Sequence, residues 1–348
     1  MAVGVMVSTH DSESCSIGST PVRPTNIAAW GSGHPVWLIT KRTLVRIQLP
    51  QLSKPIGFGG FNYSPQKTKG TMGKQKRSEN TYQKIQTVFK RDEKNVIMPY
   101  DELTDPAFEY LRTLPWRCEE KIDGTNIRLE VTSEIVRSEP SDEGTMQTLG
   151  AAFSVDYKGK TDNANVPPKL MQHLTDTYPA EKVLASLGLK TFIPYEEWAE
   201  HKWQSEHDIP ERYTIYGEGY GAKIQKAGGN YLSNGNGFIV FDVKVDDLYL
   251  MADNRNEIAE KLGAPIVPFI GMMTLDEAIA MVREGFKSRI SENKDFTAEG
   301  LVIRTEIGLR NRRGERIITK IKHCDFEKYK AVYGTLDKVE QHVNEHIG

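Results

Sequence analysis

A lysine in the first half of the chain carries the strongest chemical signal in the sequence. Lys121 is the second residue of Glu-Lys-Ile-Asp-Gly-Thr-Asn, residues 120–126. A lysine attacks phosphorus only as the neutral amine. Because an ordinary lysine has a pKa of about 10.4, a site that uses one must lower it by burial or by neighbouring cations. Asp-Gly after an apolar strand predicts a sharp turn, with the amine at the edge of a pocket. A surface lysine before a hairpin turn has the same pattern, and these residues alone leave both interpretations open.

Two later segments place an acid or an aromatic ring in candidate strands. Glu218 lies between Gly217 and Gly219, and glycines let a ligand approach the backbone closely. Phe241 and Asp242 are adjacent in the apolar segment that begins near Phe238. Ordinary core packing is the alternative for this segment, and it is the favoured interpretation for Phe238.

Two segments near the carboxyl end add charges at a second group of strands. Glu299 directly precedes the buried-type strand Leu301–Thr305. Lys320 and Lys322 are two residues apart, so they share one face of a strand, whose side chains alternate with a period of two. A solvated strand face is the alternative for these two lysines.

In chain order the five segments read K-x-D-G-x-N, G-E-G, F-D, E-G-x-V and K-x-K. This series resembles motifs I, III, IIIa, IV and V of the covalent nucleotidyltransferases, a superfamily of DNA ligases, RNA ligases and mRNA capping enzymes. Asn126 and Glu120 make it most similar to the RNA ligase 2 branch. The resemblance covers roughly residues 119–326. It implies an α+β adenylation domain of antiparallel sheets flanked by helices.

The resemblance also implies a reaction in three steps. Lysine attacks the α-phosphorus of ATP and releases pyrophosphate; the AMP then moves to a 5′-phosphate end of the polynucleotide; a 3′-hydroxyl attacks that end and releases AMP. ATP is then a substrate and Mg²⁺ or Mn²⁺ the metal, which neutralises charge on the triphosphate. RNA is the expected partner, with an RNA–DNA hybrid as a second candidate, in a setting such as RNA repair.

Roles for individual residues follow from the same resemblance. Lys121 would be the nucleophile, and Lys320 and Lys322 would contact the α-phosphate, where a nearby cation also favours a neutral amine. Glu299 would help to position the metal. The remaining residues would bind the nucleotide: Glu120 at the adenine edge, Phe241 stacked on adenine, Asn126 and Arg137 near the ribose and phosphate, Glu218 at the ribose, and Asp242 without a defined role.

The roles of one residue and two segments stay open. Arg137 suits the short arginine motif of the family, but a surface arginine is its alternative. Residues 159–165 (Gly-Lys-Thr-Asp-Asn-Ala-Asn) are similar to a stretch in some RNA ligases and have no physical assignment. Residues 310–316 predict a basic hairpin tip that either holds phosphates or is simply solvated.

Alternating and helical apolar patterns predict the elements that position these residues. The predicted strands are Trp116–Lys121, Asn126–Val131, Tyr213–Gly217, Gly237–Val243, Leu301–Thr305 and Arg316–Ile321. The predicted helices are Pro168–Thr177, Ala180–Leu187, Asp253–Leu262 and Leu275–Glu284.

Composition divides the chain into three parts. Residues 1–71 are rich in Ser, Thr, Pro and Gly and hold seven Lys or Arg against two Asp or Glu, so we expect a poorly ordered extension, with Met72 as an alternative start. Residues 72–326 would form the ligase domain, and 327–348 a helical tail packed on it. Only 26 residues follow Lys322, which is too few for the OB domain of DNA ligases and capping enzymes.

The rest of the composition narrows the classes further. The chain has 38% hydrophobic and 26% charged residues, typical of a globular protein, and no apolar run long enough for a membrane helix. Three distant cysteines predict neither a zinc site nor a disulfide framework, which favours a reducing, cytoplasmic setting. The alternatives to an RNA ligase are a DNA-ligase-type or capping-type enzyme, and a nucleic-acid-binding domain without activity.

Overall fold

The computed structural model divides the chain into two units, Met1–Thr68 and Lys69–Gly348. The described residues are 81–99, 103–140 and 144–334, together with the backbone of Val36–Thr40 (β1) and Thr43–Ile47 (β2). Strands β1 and β2 pair antiparallel in the first unit. The rest of the predicted extension lies outside the described residues.

Within these ranges the second unit forms eleven strands and seven α-helices. The strands are Gln86–Thr87 (β3), Trp116–Lys121 (β4), Thr125–Arg137 (β5), Thr148–Gly159 (β6), Phe192–Pro194 (β7), Arg212–Gly221 (β8), Asn236–Val245 (β9), Leu248–Tyr249 (β10), Phe269–Met273 (β11), Gly300–Thr305 (β12) and Ile318–Lys322 (β13). The helices are Pro106–Tyr110 (α1), Pro168–Thr177 (α2), Ala180–Ser186 (α3), Gly228–Tyr231 (α4), Ala252–Leu262 (α5), Leu275–Glu284 (α6) and His323–Tyr333 (α7). The predicted α+β class is confirmed.

Two sheets organise this unit. The larger has the order β10-β9-β8-β5-β6-β7, and the smaller has the order β11-β4-β12-β13-β3. Neighbouring strands are antiparallel except for β13 and β3. Because β4 belongs to the smaller sheet and β5 to the larger, the Asp-Gly turn after Lys121 carries the chain from one sheet to the other. The hairpin-turn alternative for this turn is therefore wrong.

Each sheet packs one face against helices. Alternate residues of β5, such as Ile127, Leu129 and Val131, are buried in a core with α2, α3 and α5. Leu301 and Ile303 of β12 belong to a second core with α6 and α7. Since strand side chains alternate, the residues between these apolar ones, such as Asn126 beside Ile127, point to the opposite faces.

Several predicted elements match the structure residue by residue, namely β4, α2 and α6. Helix α6 has strong local signals, because Thr274 and Glu277 form a capping box at its start and Gly285 follows its end with a positive φ. Strand β5 extends to Arg137, six residues beyond the prediction, because β6 pairs with it along that length. Helix α7 runs across the predicted boundary at residue 326, and residues after 334 lie outside the description.

Candidate active site

A cavity of about 240 Å³ lies between the two sheets. Six of the ten predicted site residues line it: Lys121 and Glu120 from β4, Lys320 from β13, Asn126 from β5, Glu218 from β8 and Phe241 from β9. Residues separated by up to 200 positions thus meet at one place. The remaining four are Glu299 and Lys322 beside the cavity, Asp242 in a buried ion-pair network, and Arg137 at a distance.

The order of the strands in the smaller sheet brings Lys121, Glu299 and Lys322 together. Strand β12 lies between β4 and β13, so Gly300 is opposite both Lys121 and Lys322. The preceding carboxylate of Glu299 accepts from Lys121 Nζ at 2.5 Å and from Lys322 Nζ at 2.7 Å. Although burial disfavours the ammonium, the contact with Glu299 raises the pKa of Lys322. One carboxylate therefore neutralises part of a dense group of lysines.

Lys320 differs from Lys322 in its electrostatic environment. Burial, together with the nearby ammonium groups of Lys121 and Lys322, lowers the pKa of Lys320. Lys320 and Ile318 line the cavity while Thr319 and Ile321 are buried on the other face. A concentration of positive charge with a single carboxylate suits an anionic group such as a phosphate.

Asn126 and Glu218 are neighbours across β5 and β8. Burial raises the pKa of Glu218 to about 8, and the charges of Glu299 and Asp123 act in the same direction. Asn126 Oδ1 is buried without a hydrogen-bond partner among the described residues. Asn126 Oδ1 can accept a hydrogen bond from a ligand, and the carboxyl of Glu218 can donate one in its neutral form. Both groups suit a ligand that has hydroxyl or amino groups.

The glycines around Glu218 have a different role from the predicted one. A Cβ on Gly217 would lie 2.2 Å from the ring of Phe238, and one on Gly219 would lie 2.4 Å from Leu170. Both positions therefore face the helix layer and leave room for core side chains. Phe238 itself is buried in that core, as expected. The expectation that these glycines admit a ligand is not supported.

Phe241 is directed into the cavity by an irregularity of its strand. Tyr216 pairs with Asp242 and Gly217 with Val240, so Phe241 is the extra residue of a β-bulge. Bulges change the direction of a side chain, and Phe241 is half-buried among buried neighbours. The ring of Tyr82 contacts it edge-on, with centroids 5.1 Å apart. An aromatic wall of this kind fits a planar ring.

Both oxygens of Glu120 are held by a loop before β12. Ser288 Oγ donates to Glu120 Oε1 at 2.5 Å, and the backbone N–H of Arg289 donates to Oε2 at 2.9 Å. Burial raises the pKa of Glu120 although these bonds oppose the shift. The carboxyl is thus fixed in one orientation at the cavity wall.

Asp242 belongs to a buried network next to the cavity. Its Oδ2 accepts from Tyr82 Oη at 2.8 Å and from Arg316 at 2.7 Å, and it lies 3.4 Å from Arg304. Arg316 also packs on the ring of Tyr249. The predicted basic tip is therefore divided: Arg316 is buried in the protein, whereas Arg312 and Arg313 are exposed.

Glu119, next to Glu120, is a second buried anion of this network. Its oxygens accept from Arg304 at 2.6 Å, from Arg255 at 2.8 Å and from Arg117 at 3.1 Å. Burial would raise the pKa of Glu119, but Arg304 and Arg255 outweigh it and the pKa is lowered. Since Arg255 belongs to α5 and Arg304 to β12, the network connects the layers around the cavity.

Arg137 is not at the site. It ends β5, eleven residues beyond Asn126, which corresponds to roughly 36 Å along an extended strand. Its guanidinium forms an ion pair with Glu206 at 2.5 Å and its side chain is 42% exposed. The position of Arg137 therefore gives no support to the predicted contact with the ribose and phosphate, because β5 carries this residue away from the cavity.

Lys160 lines the cavity and was not among the predicted site residues. It belongs to the 159–165 segment that had no assignment. Arg128 is fully buried and donates to the carbonyl of Gly159 at 2.9 Å and to Asp162 at 2.7 Å. These two bonds hold the turn that presents Lys160, which gives the segment a physical role.

Residues 82–85 also line the cavity. They precede the first motif by more than thirty residues, and no pattern in the sequence marks them. Arg304 and Val302 could have been found, because they share a face of β12 by strand alternation. Tyr82 could not, because only its packing identifies it.

Among the described residues, no group of three or more His, Cys, Asp or Glu side chains could hold a metal ion. Glu299 supplies one carboxylate, and two lysines contact it. A single carboxylate is compatible with Mg²⁺, which proteins often hold through one or two carboxylates together with substrate phosphates and water. No helix in the described ranges is long and apolar enough to cross a membrane.

Comparison with known proteins gives a family for this arrangement. A family model described as RNA ligase matches residues 114–322. Comparison with curated proteins finds no match. Among solved structures, the chain is similar to a mutant RNA ligase of Naegleria gruberi with ATP and Mn, at 16% identity and a TM-score of 0.39, covering 65% of this chain and 55% of that one. It is also similar to the Naegleria gruberi RNA ligase with PPi, at 17% identity and a TM-score of 0.38, covering 72% of this chain and 64% of that one.

Proposed function

This chain belongs to the RNA ligase family, and we propose that it joins a 5′-phosphate end to a 3′-hydroxyl end of RNA through a covalent AMP adduct on Lys121. The observation that carries the proposal is the position of Lys121 at the cavity between the sheets beside Lys320, with Glu299 2.5 Å from Lys121 Nζ. The chain spans 55–64% of the length of the solved ligases compared above, so the substrates of the whole protein are part of the proposal.

The first step forms a bond between Lys121 Nζ and the α-phosphorus of ATP and breaks the bond to pyrophosphate. Lys121 must be a neutral amine at that moment. The carboxylate of Glu299 lies 2.5 Å from Lys121 Nζ, so it has to turn away before attack. Lys320 would stabilise the charge that develops on the α-phosphate, and Lys160 would contact the phosphates in place of Arg137.

The nucleotide would be held by groups already in position. Phe241 would stack on adenine, Glu120 would face its edge, and Glu218 and Asn126 would bind the ribose. Glu299 would hold Mg²⁺ or Mn²⁺, which would neutralise charge on the triphosphate. Asp242 would act indirectly, through Tyr82 and Arg304.

The second and third steps use the same lysines. An oxygen of the RNA 5′-phosphate attacks the phosphorus of the AMP, and Lys121 leaves as an amine. The 3′-hydroxyl then attacks the activated 5′-phosphorus and AMP leaves. Lys320 and Lys322 would stabilise the transferred phosphates in each step.

Covalent labelling tests the proposal. The protein is incubated with ATP labelled at the α-phosphate and a divalent metal, denatured, and examined for bound label. We expect label on the wild type and on Lys261→Ala, an exposed lysine of α5, and none on Lys121→Ala. Label that survives Lys121→Ala would overturn the assignment. Competition by GTP would indicate capping chemistry, and sealing of nicked RNA, RNA–DNA hybrids and single strands would define the substrate.

A further inference from the structure

The loop at residues 222–227 (Ala-Lys-Ile-Gln-Lys-Ala), called here the 222–227 loop, follows the strand that carries Glu218. It has no regular secondary structure, but it is firmly held. Ile224 is buried in the core of the larger sheet. The backbone N–H of Ala222 donates to Gly235 at 2.9 Å, and that of Ile224 donates to Gly221 at 3.0 Å. The loop is therefore a fixed part of the molecule.

Two residues of this loop have an unusual backbone. Lys223 has a φ of 66° and Gln225 a φ of 53°. The left-handed region costs a residue with a side chain about 1–2 kcal/mol, and such residues are concentrated at functional sites. The consequence here is geometric: Ile224 points into the core while Lys223, Gln225 and Lys226 are exposed.

The loop is joined directly to the turn after the nucleophile. Gln225 Nε2 donates to the carbonyl of Gly124 at 3.1 Å. Tyr231, which follows the loop and is fully buried, accepts from the backbone N–H of Asp123 at 3.1 Å. The exposed lysines of the loop are thus positioned next to the Lys121 turn.

Within the described part of the chain, the charges of these two lysines are unpaired, whereas those of some other surface lysines are paired. Lys158, Lys190 and Lys261 each form an ion pair with a carboxylate. Among the described residues, neither Lys223 nor Lys226 has a carboxylate within ion-pair distance. Two exposed ammonium groups without a counterion next to the reaction centre favour an anionic partner.

The cavity indicates which anion this is. Its volume of about 240 Å³ is below the roughly 300–1,000 Å³ of typical small-ligand pockets, so it cannot enclose a polynucleotide. The strand whose end reacts at Lys121 must therefore lie on the surface around the cavity. The 222–227 loop is part of that surface.

We propose that Lys223 and Lys226 bind backbone phosphates of the RNA strand that is being sealed. The hydrogen bond from Gln225 to Gly124 fixes the position of the loop relative to the turn after Lys121. This inference rests on the proposed function. Neither Lys223 nor Lys226 takes part in the reaction of Lys121 with ATP.

The test measures binding of a 5′-phosphorylated single-stranded RNA oligonucleotide as a function of salt concentration. For Lys223→Gln/Lys226→Gln we expect weaker binding and a log–log salt slope smaller in magnitude by roughly 1.4, because each phosphate contact on a single strand contributes about 0.7. The matched control, Lys190→Gln/Lys261→Gln, removes two exposed lysines that do not line the cavity, and it should keep the wild-type slope. An unchanged slope in the loop variant, or the same change in the control, would overturn the proposal.

Further variants keep the test decisive if the double variant folds poorly. Lys226→Gln changes a residue without positive φ, and its slope should fall by about 0.7. Lys223→Arg preserves the charge and should preserve the slope. Covalent labelling is measured in parallel: absence of label in the wild type would contradict the proposed function alone, whereas normal labelling with an unchanged slope would contradict only this inference.

Discussion

At the scale of single residues, the site depends on how the structure distributes charge among a few groups. Three lysines converge where one carboxylate, Glu299, contacts two of them. This arrangement explains how like charges can be packed together before a triphosphate arrives. The proposed reaction requires Glu299 to exchange partners before Lys121 attacks.

Glu218 gives a prediction about pH. Burial raises its pKa to about 8, above the value of about 4.3 expected in the unfolded chain. Between these values the native state holds a proton that the unfolded state has lost. Glu218 therefore contributes stability at low pH that decreases as pH rises towards 8, by at most about 1.4 kcal/mol per pH unit.

Glu218→Gln removes this titration. Measured from about pH 5.5 to about pH 8, the Tm of the variant relative to wild type should rise with pH. Glu257→Gln, which changes an exposed residue of α5, should show a constant difference. A constant difference in the Glu218 variant would show that its carboxyl is ionised throughout.

At the scale of elements, β12 has to fit between the strands that carry Lys121 and Lys322. Gly300 has a φ of 149°, and a Cβ there would lie 1.9 Å from the carbonyl oxygen of Ile321. Only glycine permits this approach, which brings Glu299 between β4 and β13. The bulge at Phe241 has a similar purpose in β9, since it directs one ring into the cavity.

Gly300→Ala should therefore lower the free energy of unfolding by at least about 1–3 kcal/mol through backbone strain alone. Lysine labelling should also decrease, because the positions of Glu299 and Lys322 depend on this residue. Urea unfolding measures the first effect. Gly229→Ala is the control, since a Cβ at that position meets no atom within 4 Å, and it should change little. Equal stability of the two variants would contradict the account.

At the scale of the whole molecule, the buried ion-pair network connects the sheets around the cavity. Glu119 of the smaller sheet binds Arg255 of α5, and Arg304 reaches both Glu119 and Asp242 of the larger sheet. A buried charge without its partner is costly. The network should therefore control both stability and the geometry of the cavity.

Glu119→Gln leaves the buried guanidinium of Arg255 without its anion and Arg304 with Asp242 alone, and we expect it to destabilise the protein by about 3–5 kcal/mol. Glu109→Gln breaks an exposed ion pair with Arg112 and should cost less than about 1 kcal/mol. Chemical unfolding of both variants checks the difference. A cost for Glu119→Gln as small as that of the control would show that the network has little energetic importance.

The strands and helices that carry the site were largely predictable because their signals are local. Helix α6 has its own caps, and the alternation in β13 places Lys320 and Lys322 on one face. The length of β5 was underestimated because its second half is a strand through pairing with β6. Pairing of this kind depends on a distant segment, which a local pattern does not contain.

What the sequence determined by itself is the set of candidate functional groups, namely the lysines, the carboxylates and the aromatic residue, and their order along the chain, since strand alternation decides which face presents them. Only the tertiary structure decided which of them meet. It placed Arg137 on the same strand as Asn126 but roughly 36 Å farther along it. It brought Tyr82 and Lys160 to the cavity and buried Arg316 with Asp242. The physical reason is that these contacts join residues tens to hundreds of positions apart, and packing between the sheets alone sets them.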